Sequence, residues 1–279
     1  MMNKKYTILF SFGILLSLAF AFFYFFPQNR DSYSPLPYEF VEENSDLEEE
    51  VLGAQPDGTV KIPVLMYHNI AAVPTKGSAS YRGLFVSPSM FKQQMKYLKD
   101  NGYKTLTPTE FVEILKSGKN PKQKSVLITF DDGSRGQYLY AYPVLKKYKM
   151  TATFYIIADR SPIKKKELRE MVKNGMVVDS HTSTHRDLKK LKGEKNFKYE
   201  LKSSRKKLES ITEQPIVSIA YPGCVADKRT FDVLKEYGYK VGFSCGRSIY
   251  HKYKNRYYLS RVHIYSNMDS FKRAITKGL

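Results

Sequence analysis

Short apolar runs alternate with longer stretches whose apolar residues recur at helical spacing, and the alternation begins at Lys61. Ile62–Tyr67 reads as a strand ending in His68. Ser87 and Pro88 open a helix that carries Phe91, Met95 and Leu98 and closes near Gly102. Thr107-Pro108-Thr109-Glu110 is a capping box with proline at the first helical position, and Phe111, Ile114 and Leu115 form the apolar face behind it. Val126, Leu127, Ile128 and Phe130 make a buried strand, followed by a helix around Tyr138–Tyr148. Thr151–Ile157 is the next strand, and Lys164–Asn174 a helix with Gly175 at its C-terminal cap. Then come a strand at Met176–Asp179, a long basic amphipathic helix at Glu194–Ile211 and a strand at Ile216–Tyr221. A helix at Lys228–Tyr237 stops at Gly238; strands at Lys240–Cys245 and Tyr257–Tyr265 and a helix at Ser270–Ile275 complete the chain. Repeated strand–helix units predict an α/β fold with a parallel sheet. Seven or eight such units fit a (β/α) barrel, with its chemistry at the C-terminal strand ends.

Ahead of this region the pattern changes twice. Tyr6–Phe26 is an uncharged stretch of 21 residues, long enough to cross a bilayer, and Lys4 and Lys5 favour a cytoplasmic N-terminus. The sequence FFYFFPQ at its end lacks the small residues of a cleavage site, so residues 1–26 read as an uncleaved signal anchor, a single-pass transmembrane helix with the domain outside the cell. Residues 27–60 contain Pro35, Pro37, Pro56 and the acidic run Glu42–Glu50 and have little apolar periodicity; they read as a flexible acidic linker. Residues 61–279 are expected to form a single domain that carries the strand-end chemistry.

Composition adds one feature. The chain has a net charge of +19, but residues 27–60 hold nine acidic residues and one basic one, which leaves 43 basic and 18 acidic residues in 61–279, a net of +25. A solvated lysine-rich surface accounts for this, as does attraction to an anionic cell-wall polymer or membrane surface. No basic helix with base-reading side chains stands out, so nucleic acid is not an expected partner.

The chemistry gathers at two strand ends. The strand Ser125–Phe130 stops at adjacent carboxylates, Asp131 and Asp132, followed by Gly133. Neighbouring side chains on a strand point to opposite faces, so two adjacent aspartates share a site only where the strand breaks, which Gly133 permits. The strand Met176–Asp179 ends in His181-Thr182-Ser183-Thr184-His185. One carboxylate and two imidazoles make an open Zn²⁺ site, and the spare carboxylate can act as a base. Taken singly, the DDG turn and the paired histidines are common surface features. Their position at the ends of two apolar strands favours a metal.

TFDDG followed by HTSTH resembles the polysaccharide deacetylases of carbohydrate esterase family four. The likeness runs from about Lys61 to Ile275 and includes Val64–Ile70, Ile219–Gly223 and Leu259–Val262. It is closest to the branch that deacetylates the poly-N-acetylglucosamine adhesin. The resemblance implies a distorted, incomplete (β/α) barrel and metal-dependent removal of N-acetyl groups from an N-acetylglucosamine polysaccharide, either peptidoglycan or poly-N-acetylglucosamine. Asp132, His181 and His185 would bind zinc or another divalent transition metal, and Asp131 would be the base. The backbone amide of Gly223, after Pro222, would donate to the oxyanion, and Tyr221 is a candidate for stacking on a sugar ring. His263 is assigned as the general acid, with His68 as its competitor at the substrate. O-deacetylation of another glycan and a non-catalytic glycan-binding barrel are the alternative functions.

This sequence departs from the family pattern in three places. Family members carry an arginine ahead of the third-motif proline to pair with the base; here that position is Ala220, and Arg261 is expected to supply the charge from another strand. Ser134-Arg135 follows TFDDG where an aromatic residue is common, and Gly223-Cys224 replaces the aromatic end of the adhesin-branch motif. Cys224 and Cys245 are expected to be two independent thiols, an extracellular disulfide being the alternative. His251, within HKYKNR, is expected to be exposed.

Overall fold

A computed structural model describes residues 57–279. The expected anchor over 1–26, and the linker as far as residue 56, lie outside the described residues. Among the described residues no helix is long and apolar enough to cross a membrane. Regular pairing begins one residue inside the segment read as linker, because Val60–Lys61 pairs antiparallel with Tyr250–His251.

The centre of the fold is a curled parallel sheet of eight strands: β1 Val64–Tyr67, β2 Lys104–Thr105, β3 Ser125–Phe130, β4 Thr153–Ile156, β5 Val177–Ser180, β6 Ser218–Ala220, β7 Val241–Phe243 and β8 Val262–His263. Its order is β7-β6-β5-β4-β3-β1-β8, with β2 pairing the first residues of β3. Two isolated parallel bridges, Phe243 with Leu259 and Gly246 with Val262, link the outer strands. The curled sheet is a half-barrel, in keeping with the (β/α) barrel expected from the sequence. The strand expected over 257–265 is shortened to β8 and these bridges, because Tyr257 and Tyr258 instead pack around Tyr221.

Seven longer helices cover the sheet: α1 Pro88–Asp100, α2 Pro108–Ser117, α3 Tyr142–Tyr148, α4 Lys165–Lys173, α5 Ser204–Thr212, α6 Lys228–Glu236 and α7 Met268–Thr276. The caps are local chemistry. Ser87 Oγ accepts the Met90 N–H at 3.2 Å, and Thr107 and Glu110 close a reciprocal capping box. Two helices differ from the expected regular course, since turns of π-helix occupy Gln137–Ala141 before α3 and Lys198–Ser203 before α5.

Strand periodicity divides the core into two. Leu65, Tyr67, Val126, Ile128, Phe130, Phe154 and Ile156 pack with helix residues such as Phe91, Met95 and Leu145. The alternate positions Val64, Leu127, Tyr155, Ala220 and Phe243 cluster with Val60, Ile62 and Phe111. Polar side chains share the second face with them. Tyr155 Oη lies 2.9 Å from Ser218 Oγ, which also contacts Asp179, and the Arg261 guanidinium lies over the Tyr155 ring. Polar groups this deep require partners, and these have them.

Candidate active site

The site forms where the strands end. β3 delivers Asp131 and Asp132, β5 delivers His181, and β6 runs into Tyr221-Pro222-Gly223. The break foreseen at Gly133 begins one residue earlier, since Asp132 itself is left-handed at φ 72° and Gly133 follows at 70°. Gly133 is needed for space as well: a Cβ there would lie 2.8 Å from Ser161 Oγ and 2.9 Å from Ile156 Cδ1. Thr182 and His185 are also left-handed, at φ 65° and 66°. Such conformations cost about 1–3 kcal/mol each and persist where the surroundings hold them.

These turns bring three ligand-type groups together. Asp132 Oδ1 lies 3.5 Å from His181 Nε2 and 3.5 Å from His185 Nε2. His181 Nδ1–H donates to the Ala220 carbonyl at 2.7 Å, which leaves Nε2 as the lone-pair nitrogen facing Asp132. Burial holds His185 neutral by lowering its pKa to about 4, aided by the neighbouring His181. Burial also opposes charge on His181, but the carboxylates of Asp131 and Asp132 outweigh it and raise its pKa. One carboxylate oxygen and two imidazole nitrogens, one of them fixed in tautomer by a carbonyl, fit the donor set of an open Zn²⁺ site.

Asp131 lies behind this triad and is almost wholly buried. Burial alone would raise its pKa, but Arg261 reverses that: Nη1 reaches Oδ1 at 2.6 Å and Nη2 reaches Oδ2 at 2.7 Å, holding the carboxyl well below the usual carboxylate range. Arg261 is fully buried and further held by Ser244 O (3.1 Å) and Thr129 Oγ1 (3.2 Å). This arginine comes from the segment leading into β8, whereas Ala220 offers only its carbonyl, to His181.

Of the two histidines weighed as the acid, His68 stands beside the carboxylate, with Nε2 3.9 Å from Asp131 Oδ2 and Nδ1 buried without a partner. Burial lowers its pKa. His263 stacks on it at 5.6 Å and donates Nε2–H to Gly83 O at 2.9 Å.

Three expectations are corrected. Tyr221 is 1% exposed, with its hydroxyl donating to Tyr257 O and its ring against Tyr258, so it has no face for a sugar. A Cβ on Gly242 would overlap the Tyr221 hydroxyl, so a glycine inside a strand was the available sign of this buried ring. Cys224 and Cys245 form a disulfide, with Cα atoms 5.2 Å apart. His251 is buried, 3% exposed, with Nε2 donating to Ile62 O at 3.0 Å. Pro222 is buried, while Gly223 is exposed at the rim.

Sequence reading missed two buried polar residues. Gln137, in the first π-turn, donates Nε2–H to His68 O at 2.8 Å and to Asp131 O. Glu200, in the second, binds the loop between the two histidines.

The polysaccharide deacetylase family profile matches residues 118–242. The chain is 34% identical to the Bacillus subtilis protein YxkH, whose name assigns it to the same family, over 75% of this chain and 73% of that protein. It is 35% identical to a poly-β-1,6-N-acetyl-D-glucosamine N-deacetylase of Staphylococcus aureus, over 72% of this chain and 74% of that protein. Among solved structures it resembles the Streptococcus pyogenes deacetylase PplD in complex with acetate, at TM-score 0.68 and 32% identity, covering 75% of this chain and 94% of that one. It also resembles IcaB from Ammonifex degensii, at TM-score 0.65 and 26% identity, covering 77% and 95%. With these relatives and this arrangement of side chains, the chain belongs to the polysaccharide deacetylase family and is a deacetylase of the hydrolase class.

Proposed function

We propose that this protein removes N-acetyl groups from an extracellular polymer of N-acetylglucosamine, using a divalent metal held by Asp132, His181 and His185. The observation that carries the reading is the convergence of these three ligand groups beside an ionised Asp131. The S. aureus relative supports a poly-N-acetylglucosamine substrate. The uncharged stretch Tyr6–Phe26 supports a membrane anchor with the domain outside the cell.

A metal held there would supply Lewis acidity, polarising the acetyl carbonyl and acidifying water. Zinc suits the ligand set. The chain's own groups do the rest. Asp131, kept ionised by Arg261, takes a proton from the attacking water. The backbone N–H of Gly223 donates to the oxyanion that forms on the acetyl oxygen. His68, whose Nε2 lies 3.9 Å from Asp131 Oδ2, accepts that proton from Asp131 and passes it to the nitrogen as the carbon–nitrogen bond breaks, and His263, stacked behind it, sets the ring. Water and amide are consumed; acetate and a free amine on the sugar are produced. The amines make the polymer cationic, and the basic domain suits association with an anionic wall polymer.

The test is acetate release from β-1,4- and β-1,6-linked N-acetylglucosamine oligomers, with chelator and then with added Zn²⁺. Chelator-sensitive release restored by Zn²⁺ supports the reading, and the preferred linkage separates wall from adhesin. No release from either oligomer by the metal-loaded protein overturns it.

A further inference from the structure

The loop between His181 and His185 is held from two sides. From the sheet side, Ala158 N–H donates to Thr182 O and Asp159 N–H to Ser183 O, both at 3.0 Å. From the helix side everything comes from one π-turn. Ser183 N–H donates to Glu200 O at 3.1 Å and Ser183 Oγ–H to Tyr199 O at 2.7 Å. The Glu200 carboxylate then closes on Thr184, with Oε2 accepting the backbone N–H at 2.9 Å and Oε1 accepting the hydroxyl.

Glu200 is fully buried, and among the described residues its carboxylate oxygens are held by Thr184 rather than by a basic side chain. A carboxylate there is costly as packing alone, because burial without a counter-charge is compensated only by hydrogen bonds. Both its oxygens engage Thr184, which adjoins His185 in sequence. The π-turn makes this reach possible, since an extra residue in the helical ladder turns Glu200 toward the sheet ends, and such turns recur at functional sites.

We infer that Glu200 is a positioning residue for the metal site: it fixes the left-handed turns at Thr182 and His185 so that both imidazoles already face Asp132 before a metal arrives. This rests on the reading of Asp132, His181 and His185 as metal ligands. A purely structural Glu200 would change thermal stability without changing the loop's readiness to bind.

The test compares wild type, E200A, E200Q and T184V as full chains. Zn²⁺ affinity is measured by competition with a chromophoric chelator, and hydrogen exchange of the 182–185 amides is followed in metal-free protein. E200A is expected to lose about 10–100-fold in Zn²⁺ affinity, the range for partners that orient ligands. Its Thr184 amide should exchange faster while β2 amides keep their rates. E200Q should recover most of the affinity, since its amide oxygen can accept the Thr184 N–H in place of Oε2. T184V, which removes only the hydroxyl contact, should show a smaller loss and serves if E200A does not fold. Wild-type affinity and wild-type loop exchange in E200A, or in T184V where E200A does not fold, overturn the inference and leave the metal reading standing. Failure of the wild-type chain itself to bind Zn²⁺ overturns both.

Discussion

Arg261 and Asp131 form a two-pronged, deeply buried ion pair: Nη1–Oδ1 is 2.6 Å, Nη2–Oδ2 is 2.7 Å, and the arginine is 0% exposed. Removing one partner of such a pair leaves a buried charge alone, at about 3–5 kcal/mol. Arg261→Ala is therefore expected to destabilise the fold by that order. It should also cut acetate release at least about a hundredfold, because Asp131 left buried without its cation is driven toward the protonated form and cannot act as a base. Arg261→Lys keeps the charge but not the fork, and should fall between. Urea unfolding and acetate assays on the three proteins check this. Full activity in Arg261→Ala would remove it from the mechanism.

The second prediction separates the two histidines. His68 is beside Asp131, whereas His263 has its Nε2–H committed to Gly83 O. His68→Ala should lower kcat by about 10²–10⁴-fold, the range for loss of a general acid. His263→Ala should cost about tenfold or less, through loss of the stacked ring. Both variants should retain metal, measured by elemental analysis. Equal losses, or a larger loss at His263, would place the proton on the other ring.

The disulfide supports a third. Cys224 and Cys245 close a loop with a sequence separation of 21, which in the chain-entropy account stabilises by roughly 3 kcal/mol. Cys224 O accepts from Ser244 Oγ at 2.6 Å, and Ser244 O accepts from Arg261 Nε at 3.1 Å, so the crosslink joins the Gly223 turn to the arginine's support. Replacing both cysteines by serine should lower the thermal midpoint and reduce kcat while leaving Zn²⁺ content unchanged. An unchanged midpoint, with the bridge confirmed by mass spectrometry in wild type, would contradict it.

Much of this was legible in the sequence because it is local. The capping box at Thr107, the apolar strand before Asp131 and the proline-started helix at Ser87 are each written within a few residues and form as written. The close approach of Asp132, His181 and His185 was legible because both motifs end apolar strands. Long-range pairings were not. Nothing near Cys224 points to Cys245, and the lysines around His251 hide the fact that it pairs with the strand at Val60. Glu200 and Gln137 look like ordinary polar helix residues, and only the π-turns, which break the 3.6-residue period, direct them inward. Arg261 is intermediate. Its partner could be named only because Ala220 leaves the family's usual cation missing.

The last prediction concerns stability and pH. Asp179 is fully buried on β5, and its Oδ1 accepts the N–H groups of Val217 (2.9 Å) and Ser218 (3.2 Å), while Oδ2 contacts Ser218 Oγ. β5 and β6 share a single registered pair, Ser180 with Ile219, so this carboxyl group stitches the strands where their own ladder is thin. Burial pushes its pKa up to about 7, against the hydrogen bonds that favour the anion. A carboxyl group with a raised folded pKa binds its proton more tightly folded than unfolded, so its contribution is complete below about pH 4 and is lost as pH rises toward 7. Over that window the loss approaches about 1.4 kcal/mol per pH unit. Asp179→Asn mimics the protonated acid: its oxygen keeps both backbone N–H bonds and its amide donates to Ser218 Oγ. The variant should match wild type near pH 4 and exceed it in stability at pH 8. Urea midpoints across pH 4–8 measure this directly. Parallel curves for the two proteins would show that Asp179 titrates in the folded protein as it does in the unfolded chain.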